Sequence, residues 1–223
     1  MEGSGRRFIF GMHPHGPIPL SASVLPPQLQ RWPWLLRRLR IGVASVVFQV
    51  PFLREFYTSF GSVDASRTSL ELLLERGYSI LLLPGGIREQ LIVCKEDEEV
   101  IVLKRRTGFI KMALKYGASL VPVFGFGERQ GYVVSSLLLF FSHLLRKVCR
   151  AGVPVLRGQC CTLLPWPHPV TVVIGKPIPV AQTPDPTPEQ VKELLETYTE
   201  QVVQLYQEHK EEAGYGDIVL KVI

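Results

Sequence analysis

The sequence has 223 residues, a formal net charge of +5, 46% hydrophobic residues and a mean hydropathy of +0.17. This length suits a single domain over residues 1–223 with a sizeable buried core, and we expect residues 1–7 to be disordered. A basic, apolar chain suits an anionic membrane surface or a phosphate-bearing substrate. The sequence argues against nucleic-acid binding, because the basic residues alternate with aliphatic runs and no nucleic-acid motif is present.

Other features of the composition bear on the cellular location. The four cysteines have spacings that match neither a zinc ribbon nor a disulfide framework, which indicates a reducing, cytosol-facing location. The first seven residues are polar and predict no signal peptide. No run of eighteen or more uncharged apolar residues occurs, so the sequence predicts no clear transmembrane helix.

The first predicted element is the end of a buried strand, Phe8–Phe10, which leads into a turn with two histidines. Pro14 stiffens this turn, and Gly16 allows a sharp bend or a close approach to a ligand. The imidazoles of His13 and His15 can be ordinary loop groups, two ligands of a metal site, or a general base. The metal interpretation lacks a third and fourth ligand at suitable spacing.

An arginine-rich and tryptophan-rich segment follows at residues 30–40, with two tryptophans, three leucines and four arginines. This composition suits a helix at a bilayer interface, and an ordinary amphipathic helix with core-facing leucines explains it equally. Ile41–Phe48 is predicted as a strand or buried segment, and Pro51–Phe56 as the start of a short helix or loop. The next predicted helix, Arg67–Arg76, ends before Gly77.

The apolar run Tyr78–Leu83 predicts a parallel strand that is buried on both faces. It leads into a second turn, Pro84–Glu89, which contains two glycines and a carboxylate. This turn can be merely structural. Alternatively, Gly85 and Gly86 let the backbone approach a substrate and present N–H groups to an oxyanion.

A basic triplet, Lys104-Arg105-Arg106, precedes the next predicted helix, which runs to Tyr116 and ends at Gly117. The triplet suits a phosphate site, although a solvated basic surface explains it equally. Before it, Cys94–Glu99 is predicted to be an exposed polar loop and Val100–Leu103 a short strand.

The last third of the sequence continues the alternation of strands and helices. Ser119–Phe124 is predicted as a buried strand, and the apolar residues 132–145 as an interfacial or substrate-facing segment or a core helix. Val170–Ile174 is another strand. A capping box at Thr187 starts a helix that ends near residues 209–210, and a final strand is predicted after it.

This alternation predicts an α/β fold with a mostly parallel sheet flanked by helices. Several strands end in glycine-bearing turns that carry polar groups. If parallel strands bring these turns to one edge of the sheet, they form a single site.

Five segments occur in one order along the chain: Phe-Gly-x-His-Pro-His-Gly at 10–16, Gly-Gly-x-x-Glu at 85–89, Arg-x-Gly-Phe-x-x-x-Ala-x-x-x-Gly at 106–117, Leu-Val-Pro-Val-x-x-Phe-Gly-Glu at 120–128 and Val-x-x-Gly-x-Pro-Ile-x-Val at 172–180. Together with the closing helix, this ordered set resembles the type-2 diacylglycerol acyltransferase family, which includes monoacylglycerol and wax-alcohol acyltransferases. The resemblance covers nearly the whole chain.

The resemblance implies transfer of a fatty acyl group from acyl-CoA, a co-substrate, to the hydroxyl of mono- or diacylglycerol, without a cofactor. It implies a glycerolipid-acyltransferase-like domain attached to the cytosolic face of the endoplasmic reticulum membrane or to lipid droplets. A wax-alcohol acyltransferase and a truncated, non-catalytic lipid-binding form are the alternatives, and a homo-oligomer is left open. Because this chain begins almost at the histidine motif, we expect it to lack the family's N-terminal hydrophobic hairpin.

The chemistry implied by the resemblance needs a base for the acceptor hydroxyl and donors for a tetrahedral oxyanion. We assign the base to His15, its orientation or charge stabilisation to Glu89, and a supporting role to His13. Substrate contacts, including basic groups for CoA phosphates, are assigned to Gly16, Gly85, Gly86, Lys104, Arg106, Lys111, Phe126 and Glu128. Glu128 can instead be structural. No metal ligand is assigned, and without a nucleophile elbow direct transfer is predicted over an acyl-enzyme.

Overall fold

The structure is a computed structural model that describes residues 6–90, 92, 97–128, 130–134, 156–162 and 164–223. The predictions for residues 1–5, for residues 93–96 and for most of the apolar segment 132–145 lie outside these ranges. Within the described part of the chain, no helix is both long enough and apolar enough to cross a bilayer.

Ten strands are described: β1 (Phe8–His13), β2 (Leu39–Val43), β3 (Ser62–Asp64), β4 (Ser79–Leu82), β5 (Glu98–Ile101), β6 (Ser119–Phe126), β7 (Val133–Val134), β8 (Leu156–Arg157), β9 (Thr171–Ile174) and β10 (Val219–Val222). Six of them form a sheet in the order β3-β2-β4-β1-β6-β9, in which every neighbouring pair except β6 and β9 is parallel. β10 pairs with β5 in parallel, and β7 pairs with β8 antiparallel. The predicted α/β class with a mostly parallel sheet is confirmed.

Seven helices are described: α1 (Leu20–Gln28), α2 (Pro33–Arg38), α3 (Leu53–Ser59), α4 (Arg67–Glu75), α5 (Gly86–Gln90), α6 (Gly108–Tyr116) and α7 (Pro188–His209). The predicted start of α7 is confirmed, because the Thr187 hydroxyl accepts from the Gln190 amide at 3.3 Å and the Gln190 side chain accepts from the Thr187 amide at 2.9 Å. Gly117 ends α6 in the left-handed conformation, also as predicted.

The central strands are buried on both faces, which explains their continuous apolar sequences. Successive side chains of a strand point to opposite faces, so Ile9 packs in one core layer and Phe10 in the other. The first layer includes side chains of α4, α6 and α7. The second layer includes Leu25 and Leu29 from the α1 region and Leu35 from α2.

Some predicted boundaries were wrong. β1 continues three residues beyond Phe10 to His13, and its Gly11 pairs with residues of β4 and β6. The predicted helix over residues 30–40 ends at Arg38, because the chain then enters β2. Glu99, predicted in an exposed loop, is buried within β5. β9 lies antiparallel to β6, which no local sequence pattern had indicated.

Candidate active site

Three polar turns meet at one edge of the sheet. β1, β4 and β6 run parallel, so their carboxyl ends lie on the same side. His13 is the last residue of β1, Gly85 follows β4, and Glu128 follows β6. The Gln90 side chain donates to the Pro17 carbonyl at 2.7 Å and thereby ties α5 to the chain just beyond the histidine turn.

The ring of His15 is half-buried, and its tautomer is defined by a backbone contact. Nδ1 lies 2.9 Å from the carbonyl oxygen of Gly16. A carbonyl can only accept, so Nδ1 carries the proton, and the neutral ring has its acceptor lone pair at Nε2. Burial lowers the pKa of His15 below its usual value of 6.5, so the ring is neutral at neutral pH. Such a ring can accept a proton.

The ring of His13 is fully buried, and its Nε2 lies 3.2 Å from the Tyr198 hydroxyl. That hydroxyl also donates to the Gly11 carbonyl at 2.9 Å. A Cβ atom at Gly11 would lie 2.0 Å from the hydroxyl oxygen, so glycine is needed here to make room for the tyrosine. Burial lowers the pKa of His13 to about 3, and its ring is neutral throughout the physiological range.

The side chain of Glu128 packs against the histidine turn at Gly16. Its Oε2 accepts from the Ser21 amide at 2.9 Å and from the Ser21 hydroxyl, at the start of α1. Gly16 has a φ of +60°, and a Cβ atom there would lie 2.4 Å from the Glu128 Cγ. Burial raises the pKa of Glu128 to about 7, against hydrogen bonds from Ser21 that lower it. Glu128 therefore joins α1 to the turn.

The Gly-Gly-x-x-Glu motif has a steric explanation. Glu89 lies on α5 and is buried, and its carboxyl group folds back over Gly85. A Cβ atom at Gly85 would lie 1.2 Å from the Glu89 Oε2. The Gly86 amide donates to the Leu83 carbonyl at 3.1 Å, so in this structure it is not available to an oxyanion, contrary to the prediction for Gly86.

Charged groups surround the Gly85 turn. Arg106 donates from Nη2 to the Gly85 carbonyl. Burial and the nearby Arg88 lower the pKa of Arg106, while Glu89 opposes the shift. The Glu89 charge also contributes, after burial, to a raised pKa of the Tyr198 hydroxyl. Glu89 is thus electrostatically coupled both to Arg106 and to the tyrosine that contacts His13.

The remaining predicted substrate contacts lie in different environments. Phe126, predicted as a substrate contact, is 1% exposed and packs against Tyr206 and Tyr215, so it is a core residue in this structure. Lys104 and Lys111 are exposed to solvent. Glu128 is buried in a cap of α1, which favours its structural role over substrate contact.

The predicted orientation of His15 by Glu89 stays a prediction. The contact that the structure shows for His15 Nδ1 is the Gly16 carbonyl, whereas a hydrolytic triad would place a carboxylate there. Sequence reasoning also missed the contact between Tyr198 and His13. A buried tyrosine needs a hydrogen-bond partner, and this signal was available in the sequence.

The fold and the site together define a class of protein. Among the described residues, no group of three histidine, cysteine, aspartate or glutamate side chains could hold a metal ion. What gathers at the carboxyl edge of the sheet is instead a pair of neutral imidazoles with buried carboxyl groups. The protein therefore has an α/β fold in which these groups gather at the carboxyl ends of the parallel strands.

Comparison with known proteins gives the family. A family model described as diacylglycerol acyltransferase matches residues 3–222, and the chain belongs to that family. It is 35% identical over 188 residues to diacylglycerol O-acyltransferase 2-like protein 6 of Mus musculus, an alignment that covers 75% of this chain and 55% of that protein. It is 32% identical over 237 residues to 2-acylglycerol O-acyltransferase 3 of Homo sapiens, covering 94% of this chain and 66% of the relative.

The chain thus spans between about half and two thirds of the length of these relatives. No solved structure matches the chain.

Proposed function

We propose that this protein transfers a fatty acyl group from acyl-CoA to the hydroxyl of mono- or diacylglycerol, with residues 1–223 as a single catalytic domain of the glycerolipid-acyltransferase type. The observation that carries the proposal is the neutral ring of His15, whose Nδ1 is bound to the Gly16 carbonyl and whose lone pair is therefore at Nε2. The family match supports it, as do the names of the relatives, which are acyltransferases that act on acylglycerols.

In the proposed reaction His15 is the general base. Its Nε2 takes the proton of the acceptor hydroxyl while the hydroxyl oxygen attacks the thioester carbonyl. The carbonyl oxygen becomes an oxyanion, for which the backbone amide of Gly85 is the proposed donor. The tetrahedral intermediate then expels the CoA thiolate, which takes the proton back from His15, and the ester product leaves.

The remaining charged residues have proposed supporting roles. Arg106, Lys104 and Lys111 lie at or near the start of α6 and supply positive charge for the phosphates of CoA. Glu89, next to Gly85 and Arg106, balances that charge and stabilises the imidazolium that forms during transfer.

An assay of the full chain tests the proposal directly. Purified protein is incubated with labelled acyl-CoA and a panel of acceptors: monoacylglycerol, diacylglycerol and a long-chain alcohol. We expect labelled di- or triacylglycerol, with a 2-acylglycerol O-acyltransferase as the positive control. Label in wax ester alone would favour the wax-alcohol alternative, and folded protein that forms no ester from any acceptor would reject acyl transfer.

A membrane location at the cytosolic face of the endoplasmic reticulum, or on lipid droplets, is part of the same proposal. The structural support for this location is α3, which contains no buried residue and is flanked by Phe52 and Phe60. Phe52, Phe56 and Phe60 are 87%, 56% and 65% exposed, and the rings of Phe56 and Phe60 lie 5.0 Å apart. We call these three side chains the aromatic face. A contiguous exposed apolar face of this kind is typical of a membrane or partner contact.

Charge favours an anionic membrane as the partner of the aromatic face. Seven arginines and no acidic residue lie between Glu2 and Glu55. Phe60 shares a groove of about 200 Å³ with Leu36 and Arg40, so the aromatic face adjoins the tryptophan- and arginine-rich segment. Aromatic rings at the headgroup level and arginines paired with anionic lipid are a recurrent combination at membrane surfaces.

Replacing all three residues of the aromatic face by serine should reduce binding to phosphatidylcholine vesicles that contain phosphatidylserine. Each buried phenylalanine stabilises the bound state by roughly 1.5–3 kcal/mol, so we expect a loss of at least about tenfold in vesicle co-sedimentation. Leu72→Ser is the matched control, because Leu72 is 45% exposed on another helix. Equal losses for both variants would contradict the assignment of this face.

A further inference from the structure

The side chain of Tyr198 links the closing helix to the histidine turn. Tyr198 lies within α7, its side chain is fully buried, and it is 187 positions away from Gly11 in the sequence. Its hydroxyl nevertheless reaches both the Gly11 carbonyl at 2.9 Å and the His13 Nε2 at 3.2 Å. These two contacts meet at a single oxygen atom, which carries only one proton.

The position of that proton follows from the partners. The Gly11 carbonyl can only accept, so the tyrosine hydroxyl donates to it. The hydroxyl oxygen can then only accept from His13, so the Nε2 of His13 must carry a hydrogen atom. In a neutral ring the lone pair is therefore at Nδ1, which has no hydrogen-bond partner among the described residues.

We propose that Tyr198 is the positioning residue of the histidine turn, and that its hydroxyl holds His13 in the Nε2-protonated tautomer between α7 and the Gly11 carbonyl. The turn that continues to His15 is then fixed at the end of β1 by a side-chain contact as well as by Pro14. Tyr198 acts through His13 and does not itself touch the substrate.

The surroundings of the tyrosine ring keep its hydroxyl in this place. The ring of Phe109 lies edge-on at 5.1 Å between centroids, and Gly11 leaves no side chain in the way of the hydroxyl. Burial, with a contribution from Glu89, raises the pKa of Tyr198, so the hydroxyl stays protonated and can donate. The lowered pKa of His13 keeps the ring neutral, as the arrangement requires.

The kinetic test compares two buried tyrosines of the same helix. Tyr198→Phe removes the hydroxyl and keeps the ring. Tyr206→Phe is the matched control, because Tyr206 is also fully buried and its hydroxyl donates to the Ile218 carbonyl at 2.8 Å, away from the histidines. We expect Tyr198→Phe to lower kcat by about tenfold or more with little change in KM, and Tyr206→Phe to leave kcat within about twofold.

Two kinetic outcomes would overturn the inference. Either Tyr198→Phe keeps the wild-type kcat, or both variants lose activity in proportion to their loss of thermal stability. The second outcome would show that the hydroxyl serves packing alone. This kinetic arm rests on the proposed function, because it needs a measurable acyl transfer.

A spectroscopic test does not depend on activity. In protein with ¹⁵N-labelled histidine, His13 should show a protonated nitrogen at Nε2 and an unprotonated one at Nδ1, unchanged between about pH 5 and pH 8. His13→Asn assigns the signals. Tyr198→Phe should replace this signature by a mixture of tautomers. An Nδ1-protonated His13 in the wild-type protein, or an unchanged signature in Tyr198→Phe, would contradict the inference even if no acyl transfer is found.

Discussion

His15→Ala should abolish acyl transfer while the protein stays folded. Removing the general base costs roughly 10²- to 10⁴-fold in rate, and we expect kcat to fall within that range. The fold should tolerate the change, because the hydrogen bond of His15 is local, to the carbonyl of Gly16, and its ring is only half-buried. Steady-state turnover with acyl-CoA and monoacylglycerol, measured beside a thermal unfolding curve, checks both parts.

His209→Ala provides the control for that experiment. His209 is also half-buried, and its Nδ1 contacts a nearby backbone carbonyl, that of Leu205, at 3.0 Å. It lies at the end of α7 and has no role in the proposed reaction. We expect this variant to retain turnover. If His15→Ala turns over normally and His13→Ala does not, the base is His13 and the division of roles between the two histidines must be reversed.

Glu128→Gln should change how stability depends on pH. The pKa of Glu128 is raised from its usual value of 4.5 to about 7 by burial, so the folded protein holds a proton there that the unfolded chain releases. The free energy of unfolding of the wild-type protein should therefore fall as pH rises from about 4.5 to about 7. This pKa difference corresponds to about 3 kcal/mol.

The glutamine variant cannot ionise, so this decrease should disappear. We expect Glu128→Gln to be more stable than the wild-type protein above about pH 7, by an amount approaching 3 kcal/mol, and close to it near pH 4.5. Urea unfolding at a series of pH values measures the difference between the two curves. Glu200→Gln, which changes an exposed carboxylate on α7, is the control for the substitution itself.

The wild-type and Glu128→Gln curves must be compared because His13 changes the pH dependence of stability in the opposite direction. Its pKa is lowered from 6.5 to about 3, so the unfolded chain binds the additional proton and stability falls as the solution is acidified below about pH 6.5. The wild-type curve contains both contributions in overlapping pH ranges. Subtracting the wild-type curve from the Glu128→Gln curve isolates the contribution of the Glu128 carboxyl group to the pH dependence of stability. A flat difference curve would show that Glu128 titrates near its usual value.

Features that depend on neighbouring residues were predicted correctly from the sequence. The capping box at Thr187 and the C-cap at Gly117 are examples, because each is decided within one helical turn. The meeting of the histidine turn and the Gly85 turn was also foreseen, since carboxyl ends of parallel strands share one edge. The apolar runs of β1 and β4 were sufficient evidence for that arrangement.

Features that depend on distant residues were not predictable in this way. Gly11 looked like the start of a turn, but its lack of a side chain serves the approach of Tyr198 while the strand continues. The antiparallel direction of β9 and the burial of Glu99 likewise depend on partners far along the chain. Local periodicity carries no information about which element will cover a given residue.

The central place of β1 in the sheet has a consequence for synthesis. β1 leaves the ribosome before both of its neighbours in the sheet, β4 and β6, and Tyr198 is 187 residues behind Gly11. At about 5–20 residues per second, roughly ten to forty seconds pass between the synthesis of Gly11 and that of Tyr198. A transcript that ends before α7 would therefore encode the histidine turn and the Gly85 turn, and its product would lack the tyrosine that contacts Gly11 and His13.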